Sequence, residues 1–331
     1  MLRFFPVVLF LSAAAFFAVA QTSPPSSEIS PTTSSTSQTA EELLEQLHNL
    51  VTENNFEARF VVLQAGQDAV PYLWRHGRMG DSPDMEQLNL QNGPGKEFIR
   101  VGEHVSVFEP DAPPYTVVGN SINGPIPWAL LQNQDFLHDA YEFIVVGRSR
   151  ISGQPAKQIR IVSLDNTRYS YQLWLDEKTG MLLKLNMLDH KGVILEQIQM
   201  LLFAISEEPH PYFSTVNKDR LPRLTAMPPT MPDKHNWLVS YLPEGMKEIK
   251  QDTRRLAATG QRVEYRLFSD GLVDVSVYVE PRSESLNTDV AFRHGLSTFL
   301  SRSMGNSQVT VIGEIPPETA NAIASSVKTA P

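Results

Sequence analysis

The 331-residue chain has no cysteine. That excludes disulfides, thiolate metal sites, a Cys nucleophile and a lipidated N-terminal Cys, so stability must come from packing. Basic residues are scarce beside acidic ones: 28 Lys and Arg against 37 Asp and Glu, for a net charge of −9. Nonspecific nucleic-acid binding needs a basic surface, and this balance argues against a nucleic-acid partner. After residue 20 there is no apolar run long enough to cross a bilayer. Hydrophobic residues make up 41% and charged residues 20%, which excludes a disordered chain and a multi-span membrane protein. At roughly 150 residues per domain, the length suggests two domains.

Catalytic signatures are missing too. The histidines are His48, His76, His104, His138, His190, His210, His235 and His294, with no i,i+4 pair and no HExxH. Gly93-Pro94-Gly95-Lys96 lacks the P-loop frame and reads as a turn, and no GxSxG elbow occurs. Lys178-Thr179-Gly180 and Ser325-Ser326-Val327-Lys328 stand in the wrong order for a penicillin-binding site. The first is better read as hairpin chemistry, with Gly180 supplying φ > 0. The carboxylates are scattered without an acid/base pair. The expectation is a non-enzyme with no cofactor and no metal.

What is present begins with an export signal. Met1-Leu2-Arg3 starts positive, 4–17 is almost wholly apolar, and Ala18-Val19-Ala20 has the small-x-small form of a cleavage site before Gln21. Lack of cysteine suits export to an oxidising compartment. Residues 21–38, nearly all Ser, Thr and Pro, read as a disordered tether. Prolines 209, 211, 222, 228, 229 and 232 mark a linker over 209–236, where regular structure is not expected. This leaves one domain at 39–208, net −10, and another at 237–331, net −1, with the linker at +2.

In the first domain Thr39 caps a helix whose Leu43, Leu44, Leu47, Leu50 and Val51 recur at helical spacing. Strands follow at 56–64, 70–76, 86–90, 96–101, 105–108 and 115–118. After an interruption at 128–139 come strands at 141–148, 156–163, 169–176, 181–188 and 193–205. Short hairpin links make them antiparallel. So many strands with one long helix predict a curved sheet or open barrel wrapped on that helix. Aromatic residues mark the cavity candidates: Phe60, Tyr72, Trp74, Tyr141, Phe143, Tyr171 and Trp174. They either fill a core or line a gap wide enough for an acyl chain. Trp174 and Tyr171 have opposite parity and share a face only if a bulge intervenes.

The second domain reads as a small α+β unit. Strands are predicted at 237–242, 263–268, 272–280 and 308–315, with Asp270-Gly271 as a tight hairpin. Val273, Val275, Val277 and Val279 should face the core. Pro316-Pro317-Glu318 opens a helix whose inner stripe is Ala320, Ile323, Ala324 and Val327.

A family resemblance enters on specific runs. Tyr169-Ser170-Tyr171-Gln172-Leu173-Trp174-Leu175-Asp176-Glu177-Lys178-Thr179-Gly180-Met181-Leu182-Leu183, then Leu188-Asp189-His190-Lys191-Gly192 and Leu195-Glu196-Gln197, resembles the RseB/MucB family. Residues 55–64 with Trp74-Arg75-His76 agree, as do 264–272 with 276–280, and 309–316 with Thr319-Ala320 and Ile323-Ala324. The tether and Tyr241-Leu242-Pro243-Glu244-Gly245-Met246 depart from the pattern.

The resemblance implies a periplasmic regulator of the sigma-E envelope-stress response. It implies a first domain similar to LolA and LolB, a half-open antiparallel barrel that senses lipid, and a second α+β domain that binds the anti-sigma factor (RseA or MucA). That binding would shield the anti-sigma factor from its site-1 protease until lipid or lipopolysaccharide releases it. Tyr265, Phe268, Tyr278 and Phe299 are the candidate partner contacts. A second copy of the chain is a further candidate partner, and a LolA-type lipid carrier is the competing reading.

Overall fold

The computed structural model describes residues 38–132, 135–225, 234–255, 262–282 and 289–330. The expected export signal and cleavage site, and nearly all of the expected tether, lie outside the described residues.

Local chemistry at Thr39 starts the first helix. Its hydroxyl accepts the Glu42 N–H at 3.2 Å, and the Glu42 carboxylate accepts the Thr39 N–H at 3.0 Å. This reciprocal capping box satisfies two otherwise orphaned donors and fixes α1 (Ala40–Glu53). Leu43, Leu44, Leu47, Leu50 and Val51 are all buried along one stripe.

A meander follows: β1 (Asn55–Gln64), β2 (Val70–Gly77), β3 (Met85–Leu90), β4 (Glu97–Val101), β5 (His104–Glu109) and β6 (Ala112–Val118). A strap over 120–131 ends in a 3-10 turn at Trp128–Leu131. The second run is β7 (Tyr141–Ile151), β8 (Gln154–Ser163), β9 (Ser170–Asp176), β10 (Leu182–Leu188) and β11 (Ile194–Ser206). All eleven form one antiparallel sheet in the order β6-β5-β4-β3-β2-β1-β11-β10-β9-β8-β7. β1 and β11 join the two runs, Phe56 lying opposite Ile205, while β6 and β7 stay unpaired to each other at the two edges. The sheet curls around α1 and the strap as a half-open barrel, and its alternation buries Phe56, Ala58, Phe60 and Val62 on the concave face.

The proline-rich linker is more ordered than its composition predicts. Tyr212–Thr215 makes one helical turn, α2, and Phe213 is buried against Met85 and Ile99. A Cβ on Gly77 would come within 2.7 Å of the Phe213 ring, so glycine at that position is what lets the ring pack. Thr225 N–H donates to the Thr116 carbonyl, covering part of the β6 edge. Burial of one aromatic ring has outweighed the lack of backbone donors. Residues 226–233, which hold three of the six prolines, are outside the described residues.

The second domain contains β12 (Trp237–Val239), β13 (Lys247–Arg255), β14 (Arg262–Ser269), β15 (Asp274–Pro281), β16 (Val290–His294), β17 (Ser297–Met304), β18 (Ser307–Gly313), α3 (Pro317–Ser325) and β19 (Val327–Thr329). Six strands form the sheet β13-β14-β15-β18-β17-β16, and β12 pairs with β19. α3 starts at Pro317 and lays Ala320, Ile323 and Ala324 on Val275, Val277, Leu300, Val309 and Val311. Val273, Val275 and Val277 are buried as expected, and Val279 is half-buried.

Three strands, β13, β16 and β17, carry no alternation legible in the sequence: β13 is almost wholly polar or charged, and β16 and β17 turn Val290, Phe292 and Phe299 outward while Thr298 is buried. The Asp270-Gly271 turn is also longer than the two-residue hairpin expected. It is a four-residue loop in which Asp270 Oδ1 accepts the N–H groups of Leu272 and Val273, at 2.9 and 2.8 Å. Gly271 takes φ +94° there.

Candidate functional site

The barrel interior is occupied. Phe60 and Tyr72 stack 5.3 Å apart, and Trp74 sits edge-on to Phe56 at 4.8 Å. The Trp74 indole N–H donates to Glu86 at 2.7 Å, and Glu86 also accepts from Arg100, so a half-buried charge pair lies at one end of the apolar floor. Tyr141 and Tyr171 are buried in the same core from the other run of strands, and Phe143 is half-buried beside it. Trp174 is elsewhere. β9 keeps its alternation without a bulge, so Trp174 points to the convex face and packs with Ala156 and Leu183 beneath Lys184. Six of the seven cavity candidates are therefore gathered in or on one core, and Trp174 is not among them.

The remaining space is small because the strap fills it. Ile122, Ile126, Ala129 and Leu130 are buried, and the Leu131 carbonyl is tied to His48 Nδ1 on α1 at 2.9 Å. A Cβ on Gly124 would lie 2.7 Å from Leu88 Cδ2, so the strap backbone rests directly on the barrel floor. The void beneath it is about 30 Å³. A second void of about 230 Å³ opens beyond it, between Trp74, His76, Arg100 and Trp128.

The two domains meet through buried polar groups. Tyr141 OH donates to Asp270 Oδ2 at 2.9 Å. Arg168 Nε lies 2.9 Å from the same oxygen with both side chains wholly buried. That contact is one of charge, since Nε makes no aligned hydrogen bond. Arg168 Nη2 donates to the Glu244 carbonyl, and Glu244 N–H returns a bond to Asp165. Tyr169 OH donates to the Ile315 carbonyl, and Thr319 Oγ1 to that of Thr167. Burial pushes the Asp270 carboxyl up against the opposing pull of the Val273 N–H and Arg168. Burial, and then the Asp270 charge, push the Tyr141 phenol up. Tyr141 is thus a domain contact as well as a barrel residue.

Beside this contact lies a cleft of about 630 Å³ walled by both domains. The strap forms one wall, with Gln64, Met187 and Glu196 of the barrel, and Leu272, Asp274, Leu296 and Ile312 form the other. Glu196 is buried and accepts a hydrogen bond from Gln64, and desolvation raises its carboxyl against that bond. Glu314 is an exposed residue whose carboxyl is nonetheless crowded in the cleft wall. Burial, then the Glu196 and Asp274 charges, push it up.

The cleft continues onto the sheet face opposite α3. Strand register puts Tyr265, Tyr278, Thr310, Ser301 and Val290 in one row, and Leu267, Ser276, Ile312, Phe299 and Phe292 in the next. Tyr265 and Tyr278 are 5.0 Å apart and half-exposed, and Phe292 stacks on Phe299 at 5.0 Å. Phe268 has the other parity. It is 2% exposed in the α3-facing core, so it supports the sheet and presents nothing to a partner. Three of the four partner candidates share the open face. Arg168, Asp270, Glu196 and the strap were not legible as site residues. An Arg beside a hairpin turn and an Asp-Gly pair look like ordinary turn chemistry until the second domain is placed against them. Among the described residues no group of three or more His, Asp or Glu could hold a metal ion.

Two family descriptions match in tandem: the MucB/RseB N-terminal domain over 39–225 and the MucB/RseB C-terminal domain over 231–328. The sigma-E factor regulatory protein RseB of Salmonella typhimurium is 34% identical over 288 residues, covering 86% of this chain and 89% of that protein. The sigma factor AlgU regulatory protein MucB of Pseudomonas aeruginosa is 26% identical over 300 residues, covering 87% and 90%. Among solved structures, MucB in complex with MucA(peri) superposes with a TM-score of 0.70 at 24% identity, covering 88% of this chain and 99% of that one.

Proposed function

The chain belongs to the MucB/RseB family, and from that premise we propose that it is a periplasmic regulator that binds the periplasmic part of a membrane-spanning anti-sigma factor. The observation that carries this reading is the half-exposed aromatic face of the second sheet, with Tyr265, Tyr278 and Phe299, running into the cleft walled by both domains. Interface hot spots are enriched in such rings beside partly sheltered pockets. A solved relative of the same fold is a complex with MucA(peri), which supports the choice of partner. Export would follow removal of residues 1–20, and binding would shield the anti-sigma segment from site-1 proteolysis. Lipid or lipopolysaccharide acyl chains would act as the release signal through the aromatic-lined barrel.

The test is protease protection. The mature chain should slow site-1 cleavage of an anti-sigma periplasmic fragment. Tyr278→Ala with Phe299→Ala should weaken fragment binding at least tenfold, about 1.4 kcal/mol or more, with an unchanged melting temperature. Undiminished cleavage at saturating protein would sink the reading. The carrier reading predicts lipid transfer without protection, and it gives the aromatic face of the second domain no role.

A further inference from the structure

The cleft walled by both domains is one-sided in charge. Glu196 of β11 stands on the barrel wall, and Asp274 and Glu314 stand on the wall of the second domain. Among the described residues no Lys or Arg lines the cleft, and His294 is the only other titratable side chain in its wall. Carboxylates from two domains therefore border a void of about 630 Å³ without a counter-charge.

These carboxylates are also nearly free of hydrogen bonds. Among the described residues the Gln64 side-chain amide donates to Glu196 Oε2, and the carboxylates of Asp274 and Glu314 accept nothing. Glu196 is 7% exposed, so its Oε1 is a bare acceptor in a cavity wall. Buried charges are ordinarily paired. Burial pushes the Glu196 carboxyl up, and burial with the Glu196 and Asp274 charges does the same to Glu314. The arrangement costs free energy that a cation entering the cleft would offset.

Arginine suits this wall better than lysine. Its guanidinium presents several donors in a rigid fork, is more weakly hydrated than an ammonium and reaches more than one carboxylate at once. Trp128 of the strap is 41% exposed, lines the same cleft and offers an indole face for the guanidinium. Ser276 and Ile312 line the cleft in the row that holds Phe299, so a segment lying on the aromatic face runs directly into it.

We propose that the anti-sigma segment is cationic where it enters the cleft, and that one of its arginine side chains bridges Glu196 of the barrel to Asp274 and Glu314 of the second domain. This inference rests on the regulator reading and adds the chemistry that the partner must present. Contact on Tyr278 and Phe299 supplies apolar area, while the arginine fixes the segment's position and selects the partner by charge.

The test uses the full mature chain, with an anti-sigma periplasmic fragment and N-acetyl-arginine amide as separate probes. Asp274→Asn with Glu314→Gln should weaken fragment binding at least tenfold and flatten its salt dependence, with melting unimpaired because both residues are exposed. Glu314→Lys should weaken binding further. Replacing the fragment's arginines by glutamine one at a time should find one whose loss matches that of the double variant and does not add to it. N-acetyl-arginine amide at millimolar concentration should shift the Gln64 side-chain amide resonance in the parent but not in the double variant, and N-acetyl-lysine amide should act several-fold more weakly. Unchanged fragment affinity in the double variant overturns the proposal, as does a parent whose Gln64 resonance ignores N-acetyl-arginine amide. Equal responses to the two amides overturn the choice of arginine. A parent that takes the arginine amide but binds no fragment sinks the regulator reading and leaves the cation site standing.

Discussion

At the residue scale, the buried charges carry the sharpest consequences. The Arg168 and Asp270 side chains are wholly enclosed, and among the described residues the Asp270 carboxylate also accepts from Tyr141 OH and two loop N–H groups. A buried pair adds little net stability, because desolvation offsets attraction, but removing one member strands the other. Arg168→Met should therefore cost about 3–5 kcal/mol in urea unfolding, and the Arg168→Met, Asp270→Asn double variant should recover much of that loss. Glu196 gives a pH signature. Burial raises its carboxyl above the ordinary carboxylate value, so the folded state holds that proton more tightly than the unfolded chain does. Its contribution to stability is fully present below the unfolded pKa, roughly 4.3, and is lost as pH rises through the folded value. Glu196→Gln should raise the melting temperature at pH 7, and the gain should vanish on acidification to about pH 4. A gain that persists at acid pH would place its origin in packing.

At the element scale, α1 depends on its capping box. Thr39→Ala removes the acceptor for the Glu42 N–H and should cost about 1 kcal/mol of stability, read as a shift of the urea midpoint at constant slope. This helix and the eleven-strand meander were legible because their signals are local: a capping residue, period-2 alternation and turn residues between short strands. The position of β9 side chains was legible by the same rule, which is why the parity of Trp174 correctly sets it apart from Tyr171. What was not legible depends on contacts distant in the chain. β13, with Lys247, Glu248, Lys250, Gln251 and Asp252 in sequence, reads as a polar loop until β14 pairs with it. The strap, with Asn123-Gly124-Pro125 inside it, has no strand or helix period, and only the enclosing sheet makes Ile122 and Ile126 core residues. Whether the barrel is hollow or filled is a question of volume, and no sequence period reports volume.

At the scale of the whole molecule, the domain boundary is closely fitted. Gly245 takes φ +77°, and a Cβ there would meet Ala140 Cβ at 2.6 Å. With Arg168, Tyr169 and Thr319 also bonded across the boundary, the two domains should unfold together, giving one calorimetric transition. Gly245→Ala forces the surfaces apart and should split that transition, with the second domain melting first. A single, merely lowered transition would mean that the strain is absorbed within one domain. The sheet domain carries the acidity, net −10 against −1 for the second domain. That surface repels anions and attracts cations at low ionic strength.

The pairing of β1 with β11 carries a consequence for biogenesis. The first strand of the barrel finds its neighbour on that side only when the last strand has been made, since Phe56 lies opposite Ile205 and Gln64 opposite Glu196. A chain emerging from its N-terminus must hold β1 with one bare edge through the synthesis of nine further strands. A product truncated before residue 194 keeps that edge bare permanently, offering its unpaired amides to proteases and to other chains. The seam thus acts as a completeness check: only a chain long enough to deliver β11 can hide its first strand.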